Sequence, residues 1–172
     1  MNAKTARHAV FLVCAVALPA MAADFGIGAA FNDGSTVFVP IKTQSFLIEP
    51  ELSVFTQSTA AGGGQSIENY RAGAGLYLRR ELGPLFESYL GARVAYAWGD
   101  QKAPGSDTKT NAWTLAPTFG VQHFFSKQFS VGADAGLRFI TAESKISGAG
   151  GGTSHEHGWD SVSRILVRYY FW

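Results

Sequence analysis

Two of the chain's four histidines stand together in Ser154-His155-Glu156-His157-Gly158, the stretch whose residue types come nearest to chemistry. Two imidazoles, His155 and His157, with the Glu156 carboxylate between them are of the types that ligate a metal. The spacing is not the HExxH that stacks two imidazoles on one helical face, and no third ligand is anchored nearby, so no metal site is expected. A hydrolase reading would need a nucleophile, a base at hydrogen-bond distance and a third group orienting that base. Ser154 beside His155 or His157 in a glycine-rich segment offers adjacency without orientation, and His123 lies too far along the chain to help. Gly148 to Ser154, GAGGGTS, has no Lys before its Thr and no helix after it, which removes a phosphate-loop reading. No catalytic residue, metal ligand or cofactor is therefore expected.

The remaining chemistry is charge. Lys42, Arg71, Arg79, Arg93, Arg138, Arg164 and Arg168 on one side, and Glu49, Glu51, Glu87 and Asp134 on the other, are embedded in otherwise apolar segments. Their meaning depends on the elements that carry them. From Phe129 the odd positions read Phe129, Val131, Ala133, Ala135, Leu137 and Phe139, and the even ones Ser130, Gly132, Asp134, Gly136, Arg138 and Ile140. A period of two belongs to a strand with one apolar and one polar face.

The same split recurs. Trp113, Leu115, Pro117, Phe119 and Val121 oppose Thr114, Ala116, Thr118, Gly120 and Gln122. Leu90, Ala92, Val94, Tyr96 and Trp98 oppose Glu87, Tyr89, Gly91, Arg93 and Ala95. Tyr70, Ala72, Ala74, Leu76 and Leu78 oppose Arg71, Gly73, Gly75, Tyr77 and Arg79, and Ile48, Pro50, Leu52 and Val54 oppose Glu49, Glu51 and Ser53. With shorter segments at 25–31 and 36–42 and a last one from Trp159, eight strands are expected. In a soluble sandwich the apolar face turns inward and the outer face carries Lys, Glu and Thr. Here the polar face is dominated by Gly, Ala, Ser and isolated charges, which suits a crowded interior, while Leu, Val, Phe, Tyr and Trp suit lipid.

Composition agrees with a packed domain: the chain is 47% hydrophobic and 16% charged, outside the range of disordered segments. Residues 1–22, with Lys4 and Arg7, an apolar stretch from Ala9 to Leu18 and Ala20-Met21-Ala22, read as a secretory signal peptide. The barrel domain then covers 23–172. The single cysteine, Cys14, falls within the signal. Without Lys4 and Arg7 the rest holds twelve basic and thirteen acidic residues, a formal charge of −1 that argues against a nucleic-acid partner.

Connections alternate in length. Residues 43–46, 81–84 and 126–129 are short turns, whereas 58–68, 100–110 and 142–158 read as long polar loops, with 32–35 as a tight hairpin on the same side. Short turns on one rim and long loops on the other is the asymmetry of an outer-membrane barrel. Pro40, Pro50 and Pro117 lie within strands, where the missing donor points to a bulge or an edge.

Taken with the phrases VPI, EPEL, FGVQHFFSKQFSVGADAGLRF and the terminal VRYYF, the segment from Phe25 to Trp172 resembles the eight-stranded outer-membrane β-barrel proteins of Gram-negative bacteria, the OmpA-like and OmpX-like group. The resemblance implies an all-β, eight-stranded antiparallel up-and-down transmembrane barrel. Its implied surroundings are outer-membrane lipid and lipopolysaccharide, with export by the signal peptide and the barrel acting as a monomer. In such proteins the last strand ends on Phe and is read by the barrel-assembly machinery. That role falls here on Tyr169 and Phe171, with Trp172 one residue beyond the pattern. The expected function is non-enzymatic: a lumen sealed by the eleven charges named above, and loops serving envelope integrity or surface interaction. Three other readings are a lipid A-modifying enzyme, a narrow pore for small solutes and a soluble secreted barrel with a ligand cavity.

Overall fold

The structure is a computed structural model that describes residues 23–31, 35–59, 65–103, 105–148 and 151–171. The signal-peptide reading, most of the 32–35 hairpin tip and Trp172 lie outside the described residues. Nine strand segments make up the fold: β1 (Asp24–Phe31), β2 (Thr36–Phe38), β3 (Ile41–Lys42), β4 (Phe46–Thr59), β5 (Gln65–Gly83), β6 (Phe86–Ala103), β7 (Ser106–Phe124), β8 (Phe129–Gly148) and β9 (Gly152–Phe171). All pair antiparallel, and β1 pairs with β9 to close the ring.

Segments β2 and β3 are one strand interrupted at Pro40. Both pair with β1 on one side and β4 on the other, and the register on each side is the same before and after the break. Eight strands therefore form the wall. The bulge expected at the prolines does not occur. Pro40 removes ladder bonds without shifting register, and its carbonyl still accepts from Gly26 N at 3.0 Å. Pro50 sits opposite Ala74 in an unbroken β4–β5 ladder. Pro117 leaves a gap in β7–β8 pairing between Leu115↔Phe139 and Thr118↔Gly136.

Following paired residues around the wall from Leu166 gives Ala30, Thr36, Ser53, Arg71, Ala97, Ala112, Ala142 and finally Glu156, back on β9. The circuit returns ten residues from its start. Eight strands with this stagger tilt by about 40° and enclose a space that side chains can fill.

Outward positions carry the apolar face throughout. Leu76, Leu78, Leu90, Val94, Leu115, Phe119, Leu137 and Ile165 are each between 45% and 60% exposed, a wall that needs a solvent other than water. This is opposite to the soluble-barrel reading. Aromatic side chains bound the band at both ends. Phe86 and Tyr96 on β6, Trp113 and His123 on β7, Phe129 and Phe139 on β8, and Trp159 and Tyr169 on β9 are each separated by ten positions. Ten residues at about 3.3 Å each, tilted by about 40°, rise about 25 Å, the height of the lipid-facing band of such barrels. Tyr70, Trp98, Tyr96 and Trp113 form one run of ring contacts at 4.9–5.8 Å. Phe86, His123, Phe125 and Phe129 form another on the short-turn rim at 4.5–5.9 Å.

Short turns occur at or next to all three expected places, with β5 running on to Gly83 so that the expected 81–84 turn is confined to Pro84 and Leu85. Thr43 Oγ1 accepts from Phe46 N at 3.0 Å and Ser126 Oγ accepts from Phe129 N at 3.0 Å. The long loops are not as expected. Segments 58–68, 100–110 and 142–158 are mostly continuations of the strands: β6 runs to Ala103 and β7 starts at Ser106, with Gly105 at φ 81° in the tip. Likewise β8 runs to Gly148 and β9 starts at Gly152. Strands of 18 to 20 residues are about twice the 9–11 a membrane crossing needs. The surplus projects as a sheet beyond the girdle that lies away from the short turns.

Candidate functional site

Inside the wall, the inward residues make a stack of charge layers. Nearest the short turns, Glu87 is the hub. It pairs with Arg79 through Nη2 and through Nε at 3.2 Å, lies 3.6 Å from Lys42 Nζ, and accepts from Gln122 Nε2 at 2.8 Å. Arg79 also donates to the carbonyl of Thr43 at 2.7 Å, which fastens a short turn to the lumen. Lys42 Nζ stands over the rings of Phe124 and Tyr170 at 4.8 and 5.1 Å.

The next layer is built on Arg168. Its Nε donates to Glu49 Oε1 at 2.7 Å, Nη1 to Gln122 Oε1 at 3.0 Å and Nη2 to Tyr89 OH at 3.3 Å. Above it, Arg164 grips Asp134, its cross-strand neighbour, through Nε at 3.1 Å and Nη2 at 2.6 Å, and reaches Glu51 through Nη1 at 3.1 Å. Glu51 is shared with Arg71 at 3.3 Å and Arg93 at 3.8 Å. Near the girdle away from the short turns, Arg138 pairs with Asp160 at 2.6 Å.

All eleven charges assigned to the lumen from the sequence therefore face inward and gather in these layers. Asp160, the partner of Arg138, is an addition; its even position in the last strand puts it on the same face as Arg164 and Arg168, a signal already present in the alternation. The expected inner face of small residues and isolated charges is incomplete. Phe38, Leu47, Tyr77, Tyr89 and Leu166 are 1% exposed or less and fill the middle. The small residues make room for them: a β-carbon at Gly28 would collide with the Phe38 ring, at Gly75 with Tyr77, and at Gly120 with Tyr89.

The middle layer is closely packed, with the side chains of Phe38, Leu47, Tyr77, Tyr89 and Leu166 shielded from solvent. A vestibule of about 360 Å3 opens at the short-turn mouth, lined by Asp24, Lys42, Glu87, Phe124 and Lys127 among others, and it stops at the Lys42 layer. Arg168–Glu49 ties β9 to β4 across the lumen and Arg164–Asp134 ties β9 to β8, and breaking one partner of such a pair is costly. Purified protein in planar bilayers is accordingly expected to show little stable conductance. Large reproducible anion-selective steps would contradict the plug.

The histidine stretch lies on the projecting part of β9. Strand alternation puts His155 and His157 on the face shared with Trp159, and Ser154 on the opposite face. Neither imidazole can serve that hydroxyl within the sheet. His157 Nδ1 instead stands 3.2 Å from Thr141 Oγ1 across the ladder. Among the described residues no group of three or more His, Cys, Asp or Glu is placed to hold a metal ion. Tyr169 and Phe171 face outward, 41% and 51% exposed, in edge contact at 5.6 Å.

No protein-family model and no curated protein sequence matches the chain. Solved structures do. A major outer membrane protein from Thermus thermophilus is 13% identical, with 87% of this chain and all of that one covered and a TM-score of 0.55. CarO of Acinetobacter baumannii is 11% identical over 86% of this chain and 97% of that one, TM-score 0.45. Ail, the attachment invasion locus protein of Yersinia pestis, is 9% identical over 86% and 93%, TM-score 0.45. At 13% identity the likeness to the Thermus protein concerns the fold alone. Closed ring, apolar outer band and paired girdles define the class: an eight-stranded transmembrane β-barrel of the outer-membrane type.

Proposed function

We propose that this protein is a non-enzymatic outer-membrane barrel whose plugged lumen anchors a β-sheet projecting from the cell surface, there to engage surface partners or support the envelope. The observation that carries this reading is the extent and edge of that sheet. Pairing between β1 and β9 ends at Phe31↔Ile165, whereas β9 continues to Gly152. Among the described residues, positions 152–164 of β9 thus have strand partners on the β8 side only. An unpaired edge offers backbone donors and acceptors to an extended segment of another chain. Lys102, Lys109 and Lys145 stand exposed above the outer girdle, which supports contact with the phosphates of lipopolysaccharide.

Removing residues 144–154 and rejoining the shortened strands is expected to leave a heat-modifiable barrel in the membrane while abolishing the surface phenotype of the intact protein. If binding to cells or matrix persisted undiminished, the sheet would not be the working part. Alanine at Ser154, His155 and His157 together is expected to leave lipid A unchanged by mass spectrometry, and an altered acyl pattern would restore the enzyme reading.

The outward Tyr169 and Phe171 fit recognition by the barrel-assembly machinery. Tyr169→Ala should then lower the folded fraction in cells but not on refolding in detergent. Equal losses in both settings would make the residue a stability element.

A further inference from the structure

The ring is not equally tall all the way round. The last pairs that β1 and β2 make with their outer neighbours are Phe31↔Ile165 on β9 and Thr36↔Ser53 on β4. Residues 32–35, which join Phe31 to Thr36, can lengthen each of these ladders by two positions at most. That leaves 152–162 of β9 and 56–59 of β4 beyond their reach. Both edges are paired on their other sides, to β8 and β5. The projecting wall therefore has a notch with a strand edge on each flank.

The strands that stop short set its width. Around the ring β9 and β4 stand three strand spacings apart, with β1 and β2 between them, about 14 Å at the usual spacing. One added strand can pair with one flank only. Two strands pair with both, and their directions follow. Because β4 runs away from the short turns and β9 toward them, an antiparallel fill descends along β4, turns, and ascends along β9. That is a β-hairpin entering turn first.

We infer, resting on the role proposed above for the projecting sheet, that this notch docks a β-hairpin of another protein. A second copy of this chain cannot supply it. Among the described residues, each projecting hairpin is already held by a further strand: β4–β5 by β6, β6–β7 by β5 and β8, and β8–β9 by β7. The β9 flank gives the chemistry of the partner. Glu156 lies on the inner face, exposed, with Ala142 opposite it on β8 and no cation paired to it among the described residues. Trp159, on the outer face, is 72% exposed. The strand that lies along β9 thus carries Lys or Arg opposite Glu156 and an aromatic or aliphatic side chain opposite Trp159, the cross-strand pairs that complete these positions.

The test places the full chain in lipid nanodiscs and adds a disulfide-closed β-hairpin peptide with Lys and Trp at those two positions, or either of its strands as a separate linear peptide. Amide hydrogen exchange is followed over 152–162 and 56–59. The closed hairpin is expected to slow exchange about tenfold on both flanks, and each linear strand on one flank or neither. Glu156→Lys should weaken hairpin binding about fivefold, the size of an exposed ion pair reversed, and a hairpin with Glu in place of its Lys should recover it. Protection of β9 alone, equally by hairpin and linear strand, would overturn the hairpin assignment while keeping an edge that takes extended segments. Protection of neither flank, or binding indifferent to Glu156→Lys, would overturn it as well. Failure of the broader role shows separately, as surface binding that survives removal of 144–154 even where the hairpin docks.

Discussion

Replacing Arg164 with alanine should lower the unfolding free energy of the barrel by about 3–5 kcal/mol, the cost of orphaning buried charge. Its guanidinium satisfies Asp134 through two nitrogens and Glu51 through the third, and the side chains of all three are 2% exposed or less. Removing it strands the buried Asp134 carboxylate, whereas Glu51 keeps Arg71 at 3.3 Å. The double variant Asp134→Ala/Arg164→Ala should lose less than the sum of the single losses, because the second change removes the charge that the first one strands. Urea titration of refolded protein in lipid vesicles measures both quantities. Arg80→Ala is the comparison: Arg80 lies on the exposed outer face of the same barrel, and its loss should fall within about 0.5 kcal/mol of zero. An Arg164→Ala loss no larger than that would mean the lumen network does not hold the wall.

Placing a charge on the outer face at mid-height should cost almost as much. Phe119 is 54% exposed and lies between Trp113 and His123, the two girdle positions of β7. Phe119→Arg is expected to destabilise by about 2–4 kcal/mol, since a guanidinium at the bilayer midplane has neither water nor a partner. Asn111→Arg, on the same face of the same strand but above Trp113, should cost about 0–1 kcal/mol. The ratio between the two matters more than either value. Equal penalties would indicate that the apolar band does not meet lipid.

What could be read in the sequence divides along the same physical line. Where one face meets lipid and the other a crowded interior, alternation is sharp. There the facing of Arg71, Arg93, Asp134, Arg164 and Arg168 followed from parity alone. Beyond the girdle both faces of the sheet meet water, so segments such as Ser106 to Thr110 and Glu143 to Gly148 lose the apolar stripe and read as loops, although the ladders continue through them. The Gly105 turn was hidden for the same reason, inside a run of polar residues that looked uniformly irregular. Prolines misled in the other direction. A missing donor predicts disruption, but at Pro40 the paired strands on both sides hold the register. Parity gave Tyr77 and Tyr89 their inward facing without revealing them as the plug. That role depends on Gly75 and Gly120 lying beneath the rings, a relation between residues that local alternation does not encode.

The central claim is that the wall separates lipid from a filled lumen with a period of two residues. It is tested most directly by spin-labelling each position of β7 from Trp113 to His123 in turn, in vesicles, and measuring collision with oxygen and with a polar nickel chelate. Odd positions should be open to oxygen, with a maximum near Phe119 and little contact with the chelate. Even positions, Thr114 to Gln122, should be shielded from both reagents. Even positions freely reached by the chelate would mean an open aqueous lumen, and a loss of the alternation, or its inversion, would contradict the barrel as described.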